Sequence, residues 1–516
     1  MPPAHQSIVG AAAPTSLPDV LVLMTDQQKV GCLASEGGPD TMPRVDALLE
    51  RGCRFTQART VSPVCVPART SFLTGRFPSA HRVRQNSTAQ HALYDTDLLD
   101  VLRGAGYALH FSGKPHMHPR PADFDSYTGP FFHDSGPGTG HRTGAPKADH
   151  AGFEQWLQEL DHAASAVPTP FPIEDQFPHR IVEGALAALA STPVEQPQLL
   201  WVSFPEPHNP YQAPEPYFSM FEDEVPERLT DASVLDGLDW RFRWLHRLID
   251  DKRPGADAQW RRYRANYLGM LRLIDDQIGR LLDAVAARGR ETLVVFLSDH
   301  GDFLGEYGLQ RKGAAMPDAL MRIPLGLAML GAVDEPGAAG AGHMIIVPQQ
   351  REELVSIVDL MPTLAELVTG EIPPGVQGRS LLPLLRGEYA PEDEFSTILG
   401  ELGYGGISYD ERSRPELHFP YAGPTFDELN SVTLGGEMRM LVSGRHKLVV
   451  DDRGNDTLHD LDADPMELQD LSGSAEHQEL RDMLHRQLVR WMMRVADDLP
   501  VGAYTPRTSA HNWRWA

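Results

Sequence analysis

Four short apolar runs along the chain each end abruptly in polar residues of the kind that carry out chemistry. Val20-Leu21-Val22-Leu23-Met24 leads to Asp26, Tyr107-Ala108-Leu109-His110-Phe111 to Lys114 and His116, Leu199-Leu200-Trp201-Val202-Ser203-Phe204 to His208, and Leu293-Val294-Val295-Phe296-Leu297 to Asp299 and His300. Apolar runs of this length without alternation predict strands buried on both faces, as in a parallel sheet. Ligands of open α/β sheets bind beyond the carboxyl ends of the strands, so the four polar sets are expected on one rim. Between the runs the period changes. From Tyr263 to Ala287, Tyr267, Met270, Leu271, Ile274, Ile278, Leu281, Leu282 and Val285 keep the i, i+3, i+4, i+7 stripe of a packed helix, which Gly289 stops. Further helices are predicted over Arg44–Glu50, Thr96–Arg103, Arg180–Ala190 and Glu352–Val368, the last interrupted by Pro362.

Past Leu385 the texture changes. Tyr389 to Asp393 reads as a linker and Gly403 to Gly436, punctuated by glycine and proline, as an irregular loop. Met438–Val442 and His446–Val450, joined through Ser443-Gly444-Arg445, predict a hairpin, and a helix is expected from Ala475 to Val495. The pattern divides the chain into an α/β catalytic unit over residues 1–388 and a smaller C-terminal α+β subdomain over residues 389–516, a short antiparallel sheet plus a helix. The tail His511-Asn512-Trp513-Arg514-Trp515-Ala516 holds two tryptophans that would dock on a neighbouring subunit, giving a homo-oligomer, or fold back on their own chain.

Composition narrows the function classes. With 516 residues, 41% of them hydrophobic, the chain can bury a large core. No run approaches the roughly 18 apolar residues of a membrane span. The stretch Met1–Leu17 lacks the charged start and greasy centre of a secretory signal, so a cytoplasmic protein away from the membrane is expected. A formal charge of −25 opposes nucleic-acid binding but not a small anion held by local cations. The three cysteines, Cys32, Cys53 and Cys65, make no disulfide framework, and Cys32 and Cys53 read as small buried hydrophobes.

Cys65 is different because of its neighbours, Val66-Pro67-Ala68-Arg69 and then Thr70-Ser71-Phe72-Leu73-Thr74-Gly75-Arg76. Pro67 suits the first turn of a helix and Gly75 its end, which predicts Cys65 just before a short helix over Ala68–Thr74. A helix N-terminus favours an anionic nucleophile, a sulfate or a phosphate, and Arg69 adds a cation that can hold the nucleophile or a metal ligand. Taken alone, the segment leaves three readings open: a structural cysteine, a thiolate nucleophile, or a modified residue. A thiolate enzyme needs a histidine base. The chain also supplies hard metal ligands, two lysines and two histidines at strand ends, a set that suits transfer of a tetrahedral oxyanion.

The cysteine segment resembles the signature of type I sulfatases. Ser298-Asp299-His300-Gly301-Asp302-Phe303-Leu304-Gly305-Glu306-Tyr307-Gly308-Leu309 is similar to the second metal motif of that family, with Lys312 where its sulfate-binding lysine is expected. Gly113-Lys114-Pro115-His116 resembles the Gly-Lys-x-His motif, Pro207-His208-Asn209-Pro210 the Pro-His-x-Pro motif, and Asp359-Leu360-Met361-Pro362-Thr363-Leu364 a family helix. By this resemblance, which runs from Pro18 to about Leu471, the chain is identified as a member of the formylglycine-dependent sulfatases of the alkaline phosphatase superfamily. The resemblance implies an alkaline phosphatase-like fold, a central mostly parallel sheet flanked by helices.

It also implies a site. Asp26, Gln27, Asp299 and His300, with an oxygen of the modified Cys65, would hold one divalent cation, Ca²⁺ as first choice and Mg²⁺ or Mn²⁺ as alternatives. Gln27 stands where the commonest family pattern has a second Asp, so the site loses one negative charge. A formylglycine-generating enzyme, a transient partner, would oxidise Cys65 to 3-oxoalanine, whose hydrate attacks the sulfur of a small-molecule sulfate ester. Arg69 belongs to this machinery. Lys114 and Lys312 would neutralise the sulfuryl oxygens, His208 with Lys312 would protonate the departing alcohol, and His116 would take the proton whose loss expels sulfate.

Two other readings stay open. Pro67-Ala68-Arg69, with His81-Arg82 and Gln85-Asn86, resembles phosphonate monoester hydrolases, phosphodiesterases or choline sulfatases more than the usual Pro-Ser-Arg sulfatases, and Asn86 would contact a sulfuryl or phosphoryl oxygen there. Lys114 and His116 favour the sulfatase. A non-catalytic anion-binding homologue would be expected to have lost some of the set, and none is missing. Glu401, Asp410 and Glu411 would suit a cationic substrate group, or be solvated loop residues.

Overall fold

A computed structural model of the protein describes residues 17–129, 131, 150–160, 163–331, 346–389, 393–403, 409–414 and 435–496. The tryptophan tail lies outside the described residues, as do 390–392 of the expected linker and most of the loop expected over 403–436.

The four apolar runs form strands β1 (Asp19–Asp26), β4 (Ala108–Gly113), β6 (Gln198–Pro207) and β7 (Thr292–Ser298), buried along their whole length. With β2 (Cys53–Phe55), β5 (Ser126–Thr128), β8 (Leu325–Leu330) and β9 (Gln349–Arg351) they make an eight-stranded sheet in the order β5-β4-β6-β1-β7-β8-β2-β9. Five neighbours from β5 to β7 run parallel, and β8 is antiparallel to both β7 and β2. The absence of alternation in these strands has a direct cause. Val20, Val22, Met24, Trp201 and Val295 enter the core on one face, with Phe72, Met361 and Leu364. Leu21, Leu23, Val202, Val294 and Phe296 enter the other, under Ile181, Tyr267, Leu271 and Ile278. Both faces are covered by helices, so residues on either side of the sheet are apolar along most of each strand.

The long helix runs over Trp260–Ala287 and the helix expected over Arg180–Ala190 over Phe177–Ser191. The helix expected from Thr96 starts at Leu98, where the Asp97 carboxylate caps it by accepting the Asp100 N–H at 2.9 Å. Two expectations need correction. Cys65 does not precede its helix but opens it, over Cys65–Thr74, after an extended Val64; Pro67 then falls in the first turn, where its missing N–H costs nothing. The segment Glu352–Val368 is not one interrupted helix. Val355–Ser356 pairs with β3 (Ala58–Arg59) as β10, a single 3₁₀ turn comes next, and the helix spans Leu360–Thr369 with Pro362 in its first turn.

In the C-terminal part the expected hairpin forms as β12 (Met438–Ser443) and β13 (His446–Asp451), extended to four antiparallel strands by β11 (Thr397–Leu402) and β14 (Thr457–Asp460). The helix Gln478–Arg494 covers it. Leu441, Leu448, Leu458, Leu484 and Trp491 belong to the same apolar cluster as Phe72, Phe77 and Met361, and the Trp491 and Phe77 rings meet at 5.8 Å. The smaller sheet is therefore fused to the larger one through a shared core. Among the described residues no helix is long and apolar enough to cross a membrane.

The rim itself depends on Gly113. Its φ is 133°, and a Cβ there would stand 1.8 Å from the Ser203 carbonyl oxygen, which accepts the Lys114 N–H at 2.8 Å. Gly113→Ala is expected to cost about 2–4 kcal/mol. Thermal unfolding checks this, and an unchanged melting temperature would contradict the close strand approach.

Candidate active site

The carboxyl ends of β1, β4, β6 and β7 meet the first turn of the Cys65 helix, and Arg69 joins them. Its Nε donates to Asp299 Oδ2 at 2.8 Å, its NH2 to Asp26 Oδ2 at 2.8 Å, and its NH1 to Ser203 Oγ at 2.7 Å and the Lys114 carbonyl at 3.0 Å. One guanidinium, fully buried, thus fixes both carboxylates and the ends of the other two strands. These bonds commit Arg69 to positioning.

Around Cys65 Sγ stand His300 Nε2 at 3.2 Å, Lys312 Nζ at 3.2 Å, Asp26 Oδ1 at 3.7 Å and Lys114 Nζ at 3.8 Å. Lys114 Nζ also pairs with Asp26 Oδ2 at 2.8 Å. Lys312 Nζ donates to Gln27 Oε1 at 3.2 Å, and the Gln27 N–H to Asp299 Oδ1 at 3.1 Å. His300 Nδ1 lies 2.9 Å from the Gly301 carbonyl, which puts the ring proton on that nitrogen and turns the Nε2 lone pair toward the cluster. Gln27 and His116 both hold left-handed backbone, φ 72° and 34°, a strain that concentrates at working sites.

Ligand atoms of Asp26, Cys65, Asp299 and His300 lie within 4.8 Å of one another, all buried. Two carboxylates and an imidazole lone pair converging this way fit a divalent cation with hard or mixed ligands. The field supports it. Burial alone would raise Asp26, but Lys114, Arg69, His208 and Lys312 hold it well below the usual carboxylate range. Burial pushes the Cys65 thiol well up, assisted by Asp26 and opposed by Lys114 and Lys312. Burial likewise lowers His300, against the pull of Asp299. The Cys65–His300 contact is what a thiolate enzyme would use, yet these opposite shifts disfavour a thiolate–imidazolium pair.

Of the residues expected from the sequence, Asp26, Gln27, Cys65, Lys114, Asp299, His300 and Lys312 come together directly. His208 is buried, and its Nδ1 is 2.8 Å from the Asn209 carbonyl. His116 is buried two residues beyond Lys114. Asn86 supports the helix that Cys65 opens. Its Oδ1 accepts the N–H of Val66 at 3.1 Å and so caps the first turn, and a contact with a substrate oxygen would use Nδ2. The acidic residues considered for a cationic substrate are used elsewhere. Glu401 accepts the Ser79 N–H at 2.6 Å and pairs with Arg439, Asp410 bonds Ser413, and Glu411 pairs with Arg243 and Arg247.

Sequence reasoning missed Ser203, Asp302, Tyr211, Tyr263 and Glu206. Ser203 and Asp302 lie inside the motifs already quoted, and only the fold shows which way they face. Tyr263 reads in the sequence as the start of a packing helix, but its hydroxyl donates to Asp302.

The family model described as Sulfatase matches residues 18–370. The chain belongs to the sulfatase family. It is 27% identical over 504 residues to the choline-sulfatase of Rhizobium meliloti, covering 94% of this chain and 88% of that one. It is 26% identical over 509 residues to an arylsulfatase of Clostridium perfringens, covering 92% and 94%. The phosphonate monoester hydrolase of Agrobacterium radiobacter shares the fold, with a TM-score of 0.69 at 24% identity over 95% of this chain and 98% of that one. This sulfatase is therefore a sulfuric ester hydrolase on an alkaline phosphatase-like fold, and the buried group at Asp26, Cys65, Asp299 and His300 is its possible metal site.

Glu206, two residues before His208, gives a pH test of this rim. Burial raises its carboxyl to about 8, outweighing its own N–H and Lys114, and its Oε2 has no hydrogen-bond partner among the described residues. An acid whose folded pKa is raised favours the fold only while protonated. That stability is complete below its ordinary 4.5 and is lost as pH rises toward 8. Glu206→Gln should therefore melt with wild type near the lower value and increasingly above it toward the higher. Parallel melting curves across that range would contradict the assignment.

Proposed function

We propose that this sulfatase hydrolyses a sulfate monoester of a small aryl or alkyl alcohol, with residue 65 oxidised to formylglycine and one divalent cation, Ca²⁺ by preference, at Asp26, Gln27, Asp299 and His300. The observation that carries the reading is the crowding of Cys65 Sγ by two lysines and a metal donor set at once. Cys65 Sγ marks the position that an oxygen takes after oxidation. The cation supplies charge that lowers the pKa of a hydroxyl there, and the aldehyde hydrate supplies two hydroxyls, one to attack and one to start product release.

The chain's own residues do the rest. Asn86 and the helix first turn aim residue 65 at the rim, and Arg69 keeps Asp26 and Asp299 in register with it. Lys114 and Lys312, buried on either side, hold the sulfuryl oxygens as charge moves onto the leaving alcohol. His208 gives its proton to that alcohol, and His116, at the left-handed turn after Lys114, takes a proton from residue 65 so that sulfate departs. The formylglycine-generating enzyme is the partner this requires.

The alternative is a phosphonate monoester or phosphodiester substrate, which Gln27 and Ala68 lean toward. Occupation of both flanks by lysines suits a three-oxygen head with one organic substituent. A diester needs a gap on one flank for its second group. Comparative kinetics decide. kcat/KM on an aryl sulfate is expected to exceed that on an aryl phosphonate monoester and a phosphate diester, and Cys65→Ser to lose turnover while keeping its fold. A phosphonate preference of orders of magnitude, or a fully active Cys65→Ser, would overturn the proposal.

A further inference from the structure

The side chain of Gln27 is gripped at both ends, by a carboxyl and a hydroxyl on one side and an ammonium on the other. On one side its Nε2 lies 2.6 Å from Asp302 Oδ2 and 3.3 Å from the Tyr211 hydroxyl, so both amide hydrogens have acceptors. On the other, Oε1 lies 3.2 Å from Lys312 Nζ, a group with only donors. Asp302 is in turn filled. Its Oδ1 receives the Tyr263 hydroxyl, the Leu304 N–H at 2.6 Å and the Arg311 N–H at 3.1 Å, while Oδ2 receives the Tyr211 hydroxyl at 3.1 Å as well as Gln27. Five donors thus converge on its two oxygens, three on Oδ1 and two on Oδ2, and Oδ2 meets the Gln27 amide as an acceptor. Turning the amide over would set a carbonyl against a carboxylate at one end and an NH₂ against an ammonium at the other.

We propose that Asp302, with Tyr211, is a positioning residue that fixes the polarity of residue 27, so that this chain requires an amide there and presents its carbonyl oxygen to the metal donor set. The inference rests on the metal site proposed above. It also makes an otherwise odd substitution intelligible: an acidic residue at position 27 would add charge to the ligand set, yet it would set a second carboxyl against Asp302 at hydrogen-bond distance where the amide now donates. Positions 27 and 302 therefore form a matched donor–acceptor pair, and reversing both members should preserve what reversing one destroys.

The test uses Gln27→Glu, Asp302→Asn and the double variant of the full chain. Thermal unfolding is measured first on metal-free protein, then Ca²⁺ binding by calorimetry above the carboxylate titration range. In Asp302→Asn the new side chain keeps its oxygen on the three donors at Oδ1, so its NH₂ faces residue 27 and turns the Gln27 carbonyl inward. Each single change is expected to lower metal-free stability and to weaken Ca²⁺ at least about tenfold. The double variant should regain most of both losses, because the amide introduced at position 302 would donate to the carboxylate introduced at position 27 and leave the second oxygen of that carboxylate for the metal. Counting ligand charge alone gives the opposite sign for Gln27→Glu, tighter Ca²⁺ binding. That result, or a double variant no more stable than the worse single one, would overturn the proposal. Should Asp302→Asn not fold, Gln27→Glu decides by itself, through a fall or no fall in metal-free stability. Wild-type protein that takes up no divalent ion would overturn the metal assignment instead, and the metal-free unfolding comparison would still decide the polarity.

Discussion

Arg69 is the constraint on which the rest of the site depends. It lies one turn into the helix that Cys65 opens, and its guanidinium spans the ends of β1, β4, β6 and β7. A buried cation of this kind is stable only because every partner is supplied: two carboxylates, a hydroxyl and a carbonyl satisfy it in a place where an unpaired charge could not be tolerated. The exchange works in both directions. The carboxylates are held and oriented by the guanidinium, and the helix that Cys65 opens is locked to the sheet at the same point.

The charge around Cys65 then obeys a simple balance. Asp26 and Asp299 face Arg69, Lys114 and Lys312, an excess of positive charge that suits an incoming anion and a nucleophile that gains negative character only when needed. The encoded thiol serves this poorly, since burial disfavours its anion. The aldehyde hydrate proposed above would place an oxygen nucleophile there, and the need to release sulfate afterwards would account for a residue with two hydroxyls rather than one.

Much of this was legible in the sequence, and for physical reasons. Strands buried on both faces leave continuous apolar runs, and a rim at their carboxyl ends leaves polar residues directly after them, so Asp26, Lys114, His208 and Asp299 could be placed before the fold was seen. The start of the Cys65 helix was misplaced because Pro67 reads equally well at the first or the third helical position. The Glu352–Val368 segment failed because two of its residues, Val355 and Ser356, pair with β3, a tertiary demand that periodicity does not carry. Asp302, Tyr211 and Tyr263 were invisible for a related reason. Their roles arise from contacts across 39 to 91 residues of chain, and each sits where a bland packing role explains it just as well.

Every part of this account converges on the chemical identity of residue 65. Mass spectrometry of the proteolytic peptide containing it, from protein isolated in active form, measures that identity directly. The account predicts a side chain in which sulfur has been exchanged for oxygen with loss of two hydrogens, together with its hydrate. A peptide carrying only the intact thiol in fully active enzyme would contradict it.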